Sequence, residues 1–174
     1  MQKKKKEFKP LTEEEIGLTS EDIKCAEYRG KVIHCMIEIE LLTENVIIRN
    51  YFNKNNHRGL EFIYSVLTRE NFTLASKLNA MKFILHQHFP GFVKEHPYFI
   101  PTYNELIEIR NIYAHRTFFK PLMRLLHHTT IDNKMTVKDY ILSDKNIQMF
   151  YGKYFVIYND LKDILELITK EAKK

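Results

Sequence analysis

The stretch SEDIKCAEYRGKVIHCMIEIELLTENVIIRNYF, residues 20–52, decides the fold class. Ser20 followed by Glu21 and Asp22 reads as a helix N-cap with acids in the first turn, where they meet the positive end of the helix dipole. From there to Phe52 only Gly30 weakens a helix, and nothing stops one. Val32, Met36, Ile39 and Val46, together with Ile33, Ile37, Leu41 and Ile48, recur three and four apart. That spacing makes a broad apolar face that needs other helices against it. The polar run Asn53–Arg58 ends the segment.

The same periodicity continues downstream. Leu60–Leu67 reads as a short apolar helix or turn. Thr73 can cap a helix that runs to about Phe89 through Leu74, Leu78, Met81, Phe83 and Ile84, and Pro90-Gly91 stops it. Pro97 and Pro101 mark the entry to a further helix, Thr102–Phe118, which carries Leu106, Ile109 and Tyr113; Pro121 closes that region. Thr129-Thr130-Ile131 and Met135-Thr136-Val137 flank Asp132-Asn133, the pattern of a hairpin turn. Ser143 caps a last helix whose stripe is Ile147, Phe150, Tyr154, Tyr158, Leu161, Leu165 and Ile168, a core-facing series. The expected fold class is all-α: a bundle of four to five helices with a small β-hairpin near residues 129–137. Its domain organisation is a flexible basic arm over residues 1–18 followed by a single helical domain, residues 19–174.

Composition agrees with that reading. A chain of 174 residues with 44% hydrophobic and 28% charged residues suits one globular domain. Five Gly and five Pro are too few for a many-turned β protein. The net charge of +5 permits a polyanionic partner, although Lys3–Lys6 supplies four positive charges and reads as a solvated tail. Cys25 and Cys35 fall on one expected helix, about 15 Å apart at 1.5 Å per residue, too far for a disulfide. They read as buried thiols of a reducing compartment. No apolar run reaches the roughly 18 residues of a membrane span, and no apolar segment follows the N-terminal charges as in a signal peptide. The expected setting is soluble and cytoplasmic, with no membrane partner.

The chain has no Gly-rich phosphate loop, no Cys-pair metal spacing and no nucleophile elbow. The search for chemistry therefore falls on the eight histidines. His86 and His88, and likewise His127 and His128, lack the i,i+4 spacing and the carboxylate neighbour of a metal site, so neither a metal nor another cofactor is expected. The segment that stands out is Glu108-Ile109-Arg110-Asn111-Ile112-Tyr113-Ala114-His115, late in a helix. Asn111 and His115 are four apart and share a helix face. Arg110 lies about 140° round from His115, but its long side chain can swing to the same surface. Arg matches phosphate oxygens with two parallel donors, and His serves as acid or base near neutral pH. Arg29 and His34 repeat the spacing without the Asn and the Ala, and read as ordinary surface or boundary residues.

This segment resembles the Arg-four-residues-His motif of the HEPN superfamily, in which a polar residue, often Asn, follows the Arg. The order of helices is similar too, loosely over residues 20–170. The resemblance implies a metal-independent endoribonuclease, active as a homodimer whose two motif helices form one composite cleft. It also implies a role as a toxin or phage-defence effector, with RNA as substrate and an antitoxin protein as a further partner. In that scheme Arg110 holds the phosphate, Asn111 orients it or His115, and His115 is the acid–base group, while the small Ala114 lets the partner helix approach. Members of the family often set an acidic residue of the first helix near the motif; Glu38, Glu40 and Glu44 are the candidates here. Where some members carry a modifiable Tyr two positions after the His, this chain has Thr117. The alternative reading is a non-catalytic helical dimer of the same type, serving as an adaptor or nucleic-acid-binding module. A third is an unrelated helical regulator, in which Arg110 and His115 point away from any dimer cleft.

Overall fold

Thr19, one residue before the Ser20 expected from the sequence, starts the first helix. Its Oγ1 accepts from the Asp22 backbone N–H at 3.3 Å, and Asp22 Oδ2 accepts from the Thr19 backbone N–H at 3.0 Å. This reciprocal pair satisfies two amide donors that the first turn cannot use. In the computed structural model, which describes residues 17–52, 56–67, 72–115, 117–119, 124–131, 134–141 and 143–171, helix α1 spans Ser20–Phe52. At 33 residues it is about 50 Å long. Residues 1–16 of the expected N-terminal arm and the Asp132-Asn133 turn lie outside the described residues.

Helix α2 (Asn56–Phe62) passes directly into a π-helical turn, Ile63–Leu67. Helix α3 (Leu74–His88) opens at Thr73, whose hydroxyl accepts from the Ser76 N–H at 3.2 Å. Pro90 does not only stop this helix. It sits at the first position of α4 (Pro90–Glu95), where a missing N–H costs nothing. Helix α5 covers Phe99–His115 rather than Thr102–Phe118. Pro101 is accommodated in its first turn for the same reason, and the chain after His115 turns into a strand.

Three strands follow: β1 (Thr117–Phe119), β2 (Arg124–Ile131) and β3 (Lys134–Ile141). They form one antiparallel sheet in the order β1-β2-β3, with Thr117 opposite Leu126, Arg124 opposite Ile141 and Ile131 opposite Lys134. Of the stretch expected to form a hairpin, Thr129–Ile131 lie in β2 and Lys134–Val137 in β3. Helix α6 (Asp144–Glu171) closes the chain, and Ser143 Oγ accepts from the Asn146 N–H at 3.3 Å to cap it.

Helix α1 lies at the centre of the helical packing, touching α3, α5 and α6. Side-chain bonds set the directions. Tyr28 donates to Asp144, Tyr154 donates to Glu38, and Arg49 reaches Thr169 at 3.3 Å. Positions rise together in both chains of contact, so α1 and α6 run parallel. Lys153 pairs with Glu105, and Tyr98 reaches Asp160, so α5 runs against α6. Val32, Ile39, Met81, Ile84, Tyr103, Leu106, Ile157 and Leu161 are fully buried where these helices meet. Cys25 and Cys35 are both buried and both free.

The apolar face of α1 is narrower than the sequence suggests. Ile37 and Leu41 are 50% and 54% exposed, and Phe83 of α3 is 59% exposed. Each lies on the far side of its helix from the buried series, where no described element covers it. Among the described residues, no helix is long and apolar enough to cross a membrane.

Candidate functional site

Arg110, Asn111 and His115 occupy the last two turns of α5. The buried side of this helix carries Phe99, Tyr103, Leu106 and Tyr113, which fix its rotation against α1. Tyr103 is held further by Thr43, whose hydroxyl oxygen lies 2.5 Å from the phenol oxygen and also donates to the Ile39 carbonyl at 2.8 Å. Burial pushes the Tyr103 phenol well above its ordinary range, so it stays a neutral donor. With α5 locked in this way, Asn111 and His115 face solvent and Arg110 lies half-buried at the edge.

The structure brings the three side chains together. Arg110 Nη1 donates to Asn111 Oδ1 at 3.1 Å and lies 3.5 Å from His115 Nε2. The second contact is a hydrogen bond when the ring carries its proton on Nδ1. The five-residue separation is bridged by the length of the Arg side chain. Ala114 beside them is half-buried. One cation, one amide and one imidazole thus share a solvent-facing patch at a helix end, a set that can hold a phosphate and move a proton.

A cleft of about 640 Å3 adjoins this patch, between α1, α3 and α5. Arg110, Asn111 and Ile107 form one wall, Glu40 and Glu44 another, and Leu67, Phe72, Thr73 and Leu74 the third. Two of the three acids considered from the sequence therefore lie in the same cleft as the motif arginine. Glu38 does not: it accepts from Tyr154 on the α6 side. That bond, after burial, holds the Tyr154 phenol above its ordinary range.

Lys77 is the cleft residue that the sequence reading missed. It is 3% exposed, and its Nζ lies 2.5 Å from both Glu40 Oε1 and Glu44 Oε1. Burial alone would lower the ammonium's pKa, but the two carboxylates outweigh it and the group is raised. The signal was present: Lys77 falls within the buried register of Leu74, Leu78, Met81 and Ile84, where a lysine must have anionic partners.

The remaining histidines are elsewhere. His34 is exposed and 4.0 Å from Glu38, and Arg29 is half-buried near Cys25. His86 and His88 are exposed at the end of α3, and His127 and His128 belong to β2. His96 stacks on Phe92 and lies 3.0 Å from the buried Asp160, a tie between the start of α5 and α6. Among the described residues, no group of three or more His, Cys, Asp or Glu is arranged to hold a metal ion.

Comparisons with protein-family models, with curated proteins and with solved structures each return no match for this chain.

Proposed function

We propose that this chain is a metal-independent endoribonuclease of the HEPN type, acting as a homodimer and serving as a toxin or defence effector. The observation that carries the reading is the contact of Arg110 with both Asn111 and His115 on a solvent-facing helix end. The side chains start about 140° apart on the helix, and the length of the Arg side chain closes that gap.

The chemistry follows from the groups. A base removes the proton of the RNA 2′-hydroxyl, and the 2′-oxygen attacks the adjacent phosphorus. The bond from phosphorus to the 5′-oxygen breaks, and an acid protonates that leaving oxygen. The products are a 2′,3′-cyclic phosphate and a 5′-hydroxyl. His115 can serve in one proton role, and a second copy of the chain supplies a histidine for the other. Arg110 stabilises the charge that grows on the phosphorane, and Asn111 keeps the guanidinium aimed by accepting one of its N–H groups. The exposure of Asn111 and His115 leaves room for a second motif helix to face them across the substrate.

The test is cleavage of a broad RNA panel in EDTA, with the product ends identified. Wild type is expected to leave 2′,3′-cyclic phosphates, and Arg110→Ala to lose at least about 100-fold in rate. A folded, dimeric protein that leaves every RNA intact would move the assignment to the non-catalytic adaptor. A protein that stays monomeric at micromolar concentration would remove the composite cleft.

A further inference from the structure

The cleft beside Arg110 has a chemistry of its own. Its volume of about 640 Å3 lies within the range of ligand-binding clefts, about 300–1,000 Å3. Phe72, Leu74 and Ile107 give it apolar walls. Its polar lining is the triad Glu40, Glu44 and Lys77, together one net negative charge, with Arg110 and Asn111 on another wall. The two carboxylates disfavour a phosphate on their own wall of the cleft, whereas Arg110 on another wall attracts one. A strand of RNA laid across the site would thus leave its phosphate at Arg110 and place a neutral base in the cleft.

We propose, resting on the ribonuclease reading of the site, that this cleft binds the base next to the cleaved phosphate and that Glu40 selects guanine. A carboxylate offers about four lone-pair sites, and Lys77 meets only Oε1 of Glu40. The Glu40 side chain is 32% exposed, against 10% for Glu44, so it is the one open to a ligand. A carboxylate pairs best with two adjacent N–H donors. Guanine presents such a pair on one edge, at N1 and the N2 amino group. Adenine and cytosine each set a ring-nitrogen acceptor beside their amino group, which a carboxylate repels, and uracil offers one N–H between two carbonyls. Phe72 in the cleft wall offers an aromatic ring for stacking with any base, so selection falls to Glu40.

The experiment is titration of the full chain with 3′-GMP, 3′-IMP, 3′-AMP, 3′-CMP and 3′-UMP, read by calorimetry or by shifts in its NMR spectrum. Wild type is expected to bind 3′-GMP about tenfold or more tighter than each of the others, including 3′-IMP, which lacks only the N2 amino group. Glu40→Gln is expected to abolish the preference, while Glu38→Gln, outside the cleft, keeps it. Should Glu40→Gln fail to fold, Ala75→Phe, at an exposed position on the cleft wall, is expected to block 3′-GMP without touching the ion triad. Equal binding of all five nucleotides, binding of none, or a 3′-GMP preference that survives Glu40→Gln or, in its place, Ala75→Phe would overturn the proposal. The readout is independent of turnover. A guanine preference in a protein that cuts no RNA would sink the ribonuclease reading alone, and cleavage without that preference would sink the base reading alone.

Discussion

Replacing Lys77 with Met keeps the aliphatic stem and deletes the charge, which isolates the energetics of the cleft. In the wild type, one ammonium 3% exposed serves two carboxylates at 2.5 Å. Removing one partner of a buried ion pair costs about 3–5 kcal/mol, because the remaining charge stays desolvated. Glu44, with its side chain 10% exposed, bears most of that loss, whereas Glu40 at 32% regains water. The expected destabilisation is therefore near the lower end, about 3 kcal/mol. With a urea slope of about 1–3 kcal/mol per molar, the unfolding midpoint of Lys77→Met falls by roughly 1 M or more. The pH dependence has a definite sign. The folded pKa of Lys77 is raised, so its contribution is fully present below the ordinary lysine value of about 10.4 and is lost as pH rises through the higher folded value. The deficit of the variant is thus constant through neutral pH and shrinks as pH rises through the folded value of Lys77. Adding Glu44→Gln to Lys77→Met restores part of the midpoint. A midpoint shift of less than about 0.3 M, with the slope unchanged, would refute the reasoning, since the triad would then have to be solvated.

Two further outcomes follow from burial and space. A Cβ on Gly59 would stand 2.7 Å from Ile48 Cγ2, whereas one on Gly30 meets nothing within 4 Å. Gly59→Ala is therefore expected to destabilise by about 1 kcal/mol or more and Gly30→Ala to stabilise by up to about 1 kcal/mol, a sign contrast that thermal melts report directly. Burial raises the Asp160 carboxyl above its ordinary value, with His96 pulling the other way. The folded state then holds that proton more tightly than the unfolded chain, so the stability of the wild type relative to Asp160→Asn falls as pH rises from about 3.9 through the folded value. Urea midpoints of the two proteins taken at several acid pH values give the difference; a rise over that window would show the carboxyl to be stabilised as the anion.

Much of the helical frame was legible because long amphipathic segments leave a strong period. The series Ile147, Phe150, Tyr154, Leu161 and Ile168 in α6 is buried as its spacing requires, and Thr73 and Ser143 cap the helices that follow them. The errors cluster where local signals compete. Ser20 and Thr19 are both good caps, and only the acid three residues on, Asp22, selects Thr19 by closing the reciprocal pair. Pro101 looks like a boundary but fits a first helical turn, so α5 begins at Phe99. Ile37, Leu41 and Phe83 widen the apparent apolar face, because spacing alone does not say how much of a face its neighbours cover. The motif residues could be named from the sequence, since their spacing lies within one helix. The cleft could not: Glu40, Lys77 and Arg110 come from three helices, and only the packing of α1, α3 and α5 brings them to one cavity.

The most direct test of the central claim is RNA cleavage in EDTA by wild type, His115→Ala and His34→Ala. The expected result is cleavage by wild type and His34→Ala at similar rates, with His115→Ala slower by about 100-fold or more, the usual worth of a positioned acid–base group. Equal cleavage by all three proteins, or loss with His34→Ala and not with His115→Ala, would contradict the assignment of the site.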